Sequence, residues 1–479
     1  MIDWPLAFFI SDWAIRLIML PVIVSRKRNC TAALAWMLIV SFVPWIGTVL
    51  YFFIGEIRLG KRRLKRYARN ADVSLVARRT AAIASAIVRP ELSGSGRSIS
   101  NVAEHLGSMP IVGGNSVEYI LDSTKFVDEL VAEIDKAKSH AHLMFYIIRP
   151  DETGTRVTDA LVRAAARGVE CRLLADAAGS SDFLGKPADV LRSRGVRVVS
   201  NFPVGIFRQR LHRMDLRNHR KLAVVDGQVA FTGSQNLVNP DYGHKHYGAW
   251  QDLSLRLVGP TVGYLQAVFA EDWDYETSED LDKPTYFPDI VGALPGDVAM
   301  QVVPSGPHTK DGSVVRDILL EALHSARQRV IITTPYFVPD EATMTAIRLA
   351  ALRGAQVDLV LPKRTDSIIA DLIARSHMGA LMAAGVRIHA HHVGLLHAKT
   401  MSVDDGLAFV GSANFDVRSF FLNFELSVLM YGSDATARLR ACQRKALNES
   451  TLVSHKEYAD RSWSACFKED LACLASPLM

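Results

Sequence analysis

The sequence predicts an α/β protein built from two copies of one domain behind an apolar N-terminal region. Three observations carry this expectation. The stretch NHRKLAVVDGQVAFTGSQN, from Asn218 to Asn236, aligns without a gap on LHAKTMSVDDGLAFVGSAN, from Leu396 to Asn414. The two share His, Lys, Val, Asp, Ala, Phe, Gly, Ser and Asn at matching places. Beyond about residue 115, helix-like and strand-like segments alternate, as in α/β folds. The first sixty or so residues differ in kind from the rest, and the 479-residue length exceeds one ordinary core.

The N-terminal region comes first. Trp4 to Val24 is apolar apart from Asp12 and Arg16, and Thr31 to Ile54 carries no charge. The second stretch is long enough to span a bilayer. The first is a weaker candidate, because a central charge costs about 2.5–3.5 kcal/mol on insertion scales. Asp12 and Arg16 are four apart, so a helix would pair them. A signal peptide would need a basic start and a small-residue cleavage site, which the segment lacks. Basic residues follow both stretches: Arg26, Lys27 and Arg28, then seven cations between Arg58 and Arg69. The positive-inside rule wants both flanks in the cytoplasm, which a two-span hairpin does not allow. Pro44 and Gly47 interrupt the second stretch, and a break there makes each half too short to cross. Two spans and a re-entrant second segment both stay open. Residues 1–70 are expected to be membrane-anchoring segments with a basic flank, and residues 71–114, including PELSGSG, a linker region.

The soluble part repeats more widely than the opening pair. FVDELVAEIDKAKSHAHLMFYII from Phe126 parallels VVRDILLEALHSARQRVIITTPYFV from Val314, each an amphipathic helix running into an apolar strand. AAARGVECRLLAD from Ala164 parallels AALRGAQVDLVLP from Ala350: helix end, glycine, buried strand. RGVRVVS from Arg194 parallels AGVRIHA from Ala384. The order is the same in both halves, giving domains at 115–295 and 296–450. Residues 451–479 form a C-terminal amphipathic segment, with Trp463, Phe467, Leu471, Leu474 and Leu478 at helical spacing. The five cysteines are scattered, which argues against a disulfide framework or a zinc site.

Each repeat places chemistry on a strand. His219 and Lys221 are two apart in an apolar run and project from one face. Asp226-Gly227 signals a hairpin, and Ser234 and Asn236 share a face near the end of the returning strand. A nucleophile or acid, a fixed cation, a hydroxyl and an amide converging in this way suit a phosphate group. His397, Lys399, Ser412 and Asn414 repeat the set. Asp226 and Asp404 belong to the same repeated motif, but strand parity turns them away, and their natural part is to hold the turn. The unmatched histidines, among them His389, His391 and His392 in RIHAHHVG, lack acidic or Cys partners for a metal site. No carboxylate cluster suits Mg²⁺ or Ca²⁺, so neither a metal nor a cofactor is expected.

HxKx4Dx6GSxN present twice is the signature of the phospholipase D superfamily, which the chain resembles at His219, Lys221, Asp226, Gly233, Ser234 and Asn236 and at His397, Lys399, Asp404, Gly411, Ser412 and Asn414. The two apolar segments, IGEIRLGKRR, LHRMDLRNHRK, TTPYFVP and LNFE look like the bacterial cardiolipin synthase family over essentially the whole chain. The resemblance implies two domains, each a mixed β-sheet flanked by helices, paired about a pseudo-twofold axis with both motifs at one site. It implies that His219, Lys221, Asp226, His397, Lys399 and Asp404 form the catalytic set. One His, assigned as His219 by analogy, attacks the phosphorus to give a phosphohistidine. The other protonates the leaving alcohol and deprotonates the incoming one. Lys221, Lys399, Ser234, Asn236, Ser412 and Asn414 would hold the phosphate, and the acidic residues after each motif, Asp252 and Glu425, would orient the imidazoles.

The implied reaction moves a phosphatidyl group from one phosphatidylglycerol to another and releases glycerol. A hydrolase with water as acceptor, or a transphosphatidylase with another alcohol, would use the same residues. Phospholipid and the bilayer are the expected partners, and nucleic acid is not. The implied location is the bacterial inner (plasma) membrane, multi-pass, with the catalytic domains on the cytoplasmic side. Finally, NFPVGIFRQRLHRMDLR, present only in the first copy, mixes large apolar residues with Arg208, Arg210, Arg213 and Arg217. That mixture suits a surface that dips into lipid and holds anionic headgroups.

Overall fold

The computed structural model describes residues 4–26, 30–55, 84–92, 94–107, 109–203, 215–242, 248–288, 295–307, 313–474 and 476. The basic flank between Arg58 and Arg69, and Arg208, Arg210 and Arg213, lie outside the described residues.

The N-terminal region folds as helices Trp4–Ser25, Cys30–Phe42 and Pro44–Leu50, the last running into a wider turn at Tyr51–Gly55. The first helix has 22 residues, about 33 Å at 1.5 Å per residue, and among the described residues it is the one long and apolar enough to cross a membrane. Its two charges pair as their spacing predicts, Arg16 Nη2 to Asp12 Oδ2 at 2.9 Å, and Arg16 Nε also donates to Ser41 O at 3.0 Å. The second apolar stretch, expected to be the stronger span, is broken. Pro44 has no N–H to continue the preceding helix, and Val43 sits outside helical geometry at φ −135°, ψ 71°. The chain turns so sharply that a Cβ on Gly47 would lie 3.0 Å from Ile39 O. Met19, Ile23, Trp36, Val40 and Tyr51 pack inside this cluster while Phe9, Leu17, Leu38 and Phe42 face outward.

The rest of the chain builds one long sheet. The first half supplies β1 (Val112–Ile120), β2 (His140–Phe145), β3 (Glu170–Asp176), β4 (Arg197–Asn201), β5 (Leu222–Val225), β6 (Val229–Gly233), β7 (Trp250–Gln251) and β8 (Ser254–Val258). The second supplies β9 (Val298–Ser305), β10 (Arg329–Thr333), β11 (Phe337–Val338), β12 (Gln356–Pro362), β13 (Arg387–His391), β14 (Leu395–Leu396), β15 (Thr400–Val403), β16 (Leu407–Gly411), β17 (Phe415–Asp416), β18 (Glu425–Tyr431) and β19 (Ser450–Leu452). Outward from the centre, one side of the sheet reads β1-β8-β6-β5-β2-β3-β4, and the other β9-β18-β16-β15-β10-β12-β13 with β19 at the edge. The two orders correspond strand for strand, which is the pseudo-twofold arrangement. The seam is the antiparallel pair β1–β9, and β9 also pairs in full with β18. Each half is mixed: β2, β3 and β4 run parallel, whereas β5, β6 and β8 join by antiparallel pairing.

Local chemistry repeats with the topology. Asp122 and Ser313 cap the helices Ser123–Lys136 and Val314–Ser325, and Asp151 and Asp340 cap Glu152–Ala166 and Glu341–Leu352. Gly168 and Gly354 follow the latter two helices at φ +89° and +96°, where a side chain would be strained. The helix Thr261–Thr277 lies buried against the first half, with Phe269 and Trp273 fully enclosed. The apolar core beneath it runs unbroken across the seam, joining Leu255 and Trp273 to Val302 and Val428.

Candidate active site

Two short backbone contacts between the halves assemble the site. β7 pairs in parallel with β14, and Asn218 forms an isolated parallel bridge with Phe424. As a result the His397 N–H donates to Gln251 O at 2.8 Å, and the His219 N–H donates to Phe424 O at 2.9 Å. Gln251 immediately precedes Asp252, and Phe424 immediately precedes Glu425. Each histidine backbone is thus pinned beside the acidic residue of the other half.

The side chains complete the crossing. His219 Nδ1 lies 3.0 Å from both carboxylate oxygens of Glu425, and His397 Nδ1 lies 2.6 Å from Asp252 Oδ1. The carboxylates are themselves held. Ser412 donates to Glu425 at 2.5 Å and Ser419 at 2.9 Å, while Ser234 donates to Asp252 at 2.6 Å. The glycines of the motif permit this closeness. A Cβ on Gly233 would meet Leu253 O at 2.4 Å, and one on Gly411 would meet Leu426 O at 2.7 Å, so either would push away the strand that carries the carboxylate.

The two lysines complete the cluster. Lys221 Nζ donates to His219 O and Lys399 Nζ to His397 O, each at 2.7 Å, which uses one of three ammonium hydrogens. Both lysines are almost fully buried. Burial pushes Lys399 down to about 8, and burial together with the Lys399 charge holds Lys221 well below the usual lysine range. Burial also pulls His219 down to about 4 against the opposing pull of Glu425, and His397 down to about 3 with the help of Lys399. Burial alone would raise the two carboxylates, but their histidine, lysine and serine partners together outweigh it and keep both below the ordinary range. The cluster thus sets two carboxylates biased toward the anion and two imidazoles biased toward the neutral form beside two lysines whose charges oppose each other. An arriving anion relieves that repulsion.

Not every motif residue joins the cluster. Asp226 and Asp404, grouped with the catalytic residues by the motif, sit at the far ends of their strands at φ +52° and +44°. Asp226 accepts from the N–H groups of Lys138, Ser139 and His140, and Asp404 from those of Arg327, Gln328 and Arg329. The serines expected at the phosphate are instead spent behind the histidines, each also accepting a backbone N–H, from Leu253 and Leu426. Asn236 Oδ1 accepts from Ile147 N at 3.1 Å, whereas Asn414 Oδ1 is buried with no hydrogen-bond partner among the described residues. Arg217 is partly buried and donates to Phe202 O at 3.3 Å. Phe202 and Leu216, read as lipid-facing, are buried against Leu422 and Phe424 instead.

Several site residues were not signalled by the motif. The Tyr146 ring meets His219 edge-on at 5.0 Å and has Lys221 Nζ 5.4 Å from its centre. Trp250 meets His397 edge-on at 4.7 Å and stacks on Tyr242. Arg220, between the first His and Lys, is buried and donates to Asp272, Glu425 O and Ser305 O, tying both halves to the histidine strand. Tyr146 was within reach of sequence reading, since a tyrosine follows the matching strand in each half. Arg220 was not, because Ala398 takes its place in the second copy. Beside the cluster lies a cavity of about 150 Å³ lined by Tyr336, Val338, Ser367, Ala370, Asp416, Val417 and Arg418.

Comparison with known proteins places the chain in a family. Residues 130–273 and 319–444 match a family described as cardiolipin synthase, PLD-like domain, and residues 13–56 match a phospholipase D-nuclease N-terminal family. Cardiolipin synthase A of Wigglesworthia glossinidia brevipalpis is 33% identical over 462 residues, covering 95% of this chain and 93% of the relative. Cardiolipin synthase A of Erwinia tasmaniensis is 35% identical over 466 residues, covering 95% of each. The crystal structure of a phosphatidylserine synthase from Haemophilus influenzae Rd KW20 superposes with a TM-score of 0.61 at 12% identity, over 80% of this chain and all of that one, so the fold is shared.

Proposed function

The chain belongs to the phospholipase D-like cardiolipin synthase family, and from that premise we propose how its residues carry out phosphatidyl transfer. It is a cardiolipin synthase, a phosphatidyltransferase acting on phospholipid. One observation supports the residue assignments above all others: two histidines, each with Nδ1 on a carboxylate of the other half, face one site beside two buried lysines.

The Nδ1–H of each imidazole donates to its carboxylate, which leaves Nε2 for chemistry. His219 Nε2 attacks the phosphorus of a first phosphatidylglycerol. The P–N bond forms, the P–O bond to glycerol breaks, and His397 Nε2 gives its proton to the departing oxygen. His397 takes that proton from solvent as substrate binds: the phosphodiester anion raises both imidazoles and lets one carry a charge between Asp252 and the phosphate. A second phosphatidylglycerol then presents its hydroxyl, His397 takes the proton, the new P–O bond forms and the P–N bond breaks. The phosphohistidine stores the bond energy, so no nucleotide is consumed. Lys221, Lys399 and the side-chain amides of Asn236 and Asn414 take the equatorial oxygens, whereas Ser234 and Ser412 act through the carboxylates.

The protein is membrane-associated. In the finer reading, helix Trp4–Ser25 spans and the broken segment Cys30–Gly55 re-enters, which leaves both basic flanks and the catalytic halves on the cytoplasmic side. Arg217, with the neighbouring Arg208, Arg210 and Arg213, would hold anionic headgroups at the entrance.

Purified protein incubated with phosphatidylglycerol alone should yield cardiolipin and glycerol in equal amounts, and phosphatidic acid as the sole product would overturn the transfer reading. His219→Ala and His397→Ala should each lower turnover at least ~10²–10⁴-fold. Brief exposure to phosphate-labelled lipid should label His219, and label on His397 instead would reverse the two roles.

A further inference from the structure

The helix Trp463–Cys473 is turned inside out for a soluble protein. Its large apolar residues recur at helical spacing and face away from the body: Trp463 is 79% exposed, Phe467 53%, Leu471 56%, and Leu474, just past its end, 73%. The face against the protein is made of small residues and one acid. Cys473 Sγ lies 3.9 Å from His377 Nε2, Ala472 packs against Val338, Ala370 and Ile373, and Glu469 is buried on Arg461. A helix that merely closed the fold would put Trp, Phe and Leu inward. The helix it packs on, Ile368–Ala383, adds to the same exposed surface at its N-terminal end, where Ile368 and Ile369 are 75% and 51% exposed.

The position of this apolar surface says what covers it. Val338 and Ala370, which carry Ala472, also line the cavity beside the catalytic cluster, together with Tyr336 and Arg418. The apolar surface is therefore continuous with the rim of the site. Three exposed cations stand at its border, Lys363 and Arg364 just ahead of Ile368 and Lys468 beside Phe467, against two exposed acids, Asp366 and Asp470. A surface of apolar side chains bordered by cations complements an anionic bilayer.

We propose that the helix Trp463–Cys473 and the start of the helix Ile368–Ala383 form a membrane-docking face that seats the second half on an anionic phospholipid surface, with the cavity beside the cluster opening at the lipid headgroups. This rests on the reading of the site as one that takes phospholipid. It adds a contact that the N-terminal helices do not supply. A span tethers the protein but leaves its tilt free, and this face fixes which side of the catalytic body meets the lipid.

The test uses the full chain in vesicles of phosphatidylglycerol and phosphatidylethanolamine, with the native cysteines replaced by alanine and single spin labels at Phe467→Cys, Leu471→Cys, Ile369→Cys and, as a water-facing reference, Ser193→Cys. Labels at the first three positions should relax with oxygen, which partitions into lipid, and the label at 193 with a water-soluble nickel chelate. Nickel preference at 467 and 471, or dipolar coupling between labelled copies, would overturn the docking face. In parallel, F467D/L471D should lose about tenfold in turnover on vesicles, or about 1.4 kcal/mol of interfacial binding. On short-chain phosphatidylglycerol below its micelle concentration the loss should stay within about twofold. Equal losses on both substrates would overturn it as well. If the unaltered protein makes no cardiolipin, the site reading fails, while the label positions still decide the docking face.

Discussion

Replacing Glu425 by Gln tests the catalytic geometry with the least structural damage. The carboxylate is fully buried and receives His219, Ser412, Ser419 and Asn423. Gln keeps the shape and one acceptor oxygen, and a serine hydroxyl can rotate to accept from the new amide, so the fold should persist. What disappears is the charge facing His219. Opposite charges about 4 Å apart at an effective dielectric near 20 interact by about 4 kcal/mol. If His219 is positively charged in the transition state, that loss is about three decades in rate. The assay is conversion of phosphatidylglycerol to cardiolipin in mixed micelles, followed by mass spectrometry, with thermal unfolding of the same preparation. A folded E425Q protein within tenfold of the unaltered rate would refute the reasoning, because His219 would then need no buried counter-charge.

The same geometry sets further expected outcomes. Asp226→Asn should cost about 1.5–3 kcal/mol of stability, because an amide cannot accept from three converging backbone N–H groups, while turnover at low temperature stays near normal. A stable but inactive D226N protein would return Asp226 to the chemistry. Lys399, pushed down to about 8, loses its charge as pH rises through that value, so kcat/KM should fall above about pH 8. The limb in kcat should lie higher, since bound phosphate favours the charged lysine, and coincident limbs would argue against a phosphate contact. His219 and His397 sit at about 4 and 3 against an ordinary 6.5. Below pH 6.5 the unfolded chain binds protons that the folded chain refuses, so stability falls with pH until about 3. His140 and His142 add to this with the same sign. The pH dependence of unfolding should be shallower in H219Q/H397Q, and an unchanged slope would place the proton uptake elsewhere.

The repeat made most of the fold readable. Helix caps, glycine stops and strand alternation recur at equal spacing, and the sheet order follows them on both sides of the seam. The motif side chains were readable as a set because the same residue types recur twice at the same spacing, although they sit just beyond the strand ends, with His219 and Lys221 ahead of β5 and Ser234 and Asn236 after β6. What could not be read depends on contacts between distant segments. Nothing local in LNFE or WQDL says that Glu425 serves the histidine of the other half. That depends on the Asn218–Phe424 bridge and the β7–β14 pair. The serines were misplaced for the same reason: a hydroxyl on the correct face fits a phosphate or a carboxylate equally until the neighbouring strand is in position. The second apolar stretch shows the reverse case. Its composition suggested a span, while a single proline with no N–H decided the break.

The crossing of the two halves changes how damage to this protein would be read by a geneticist. A lesion at Asp252 maps to the first repeat but removes the carboxylate bonded to the histidine of the second, and a lesion at Glu425 does the converse. Alleles sorted by position along the chain would fall into the wrong groups, while alleles sorted by the hydrogen bond they break would pair Asp252 with His397 and Glu425 with His219. Neither repeat can therefore lose its carboxylate, or be exchanged for a foreign copy, without its counterpart registering the change.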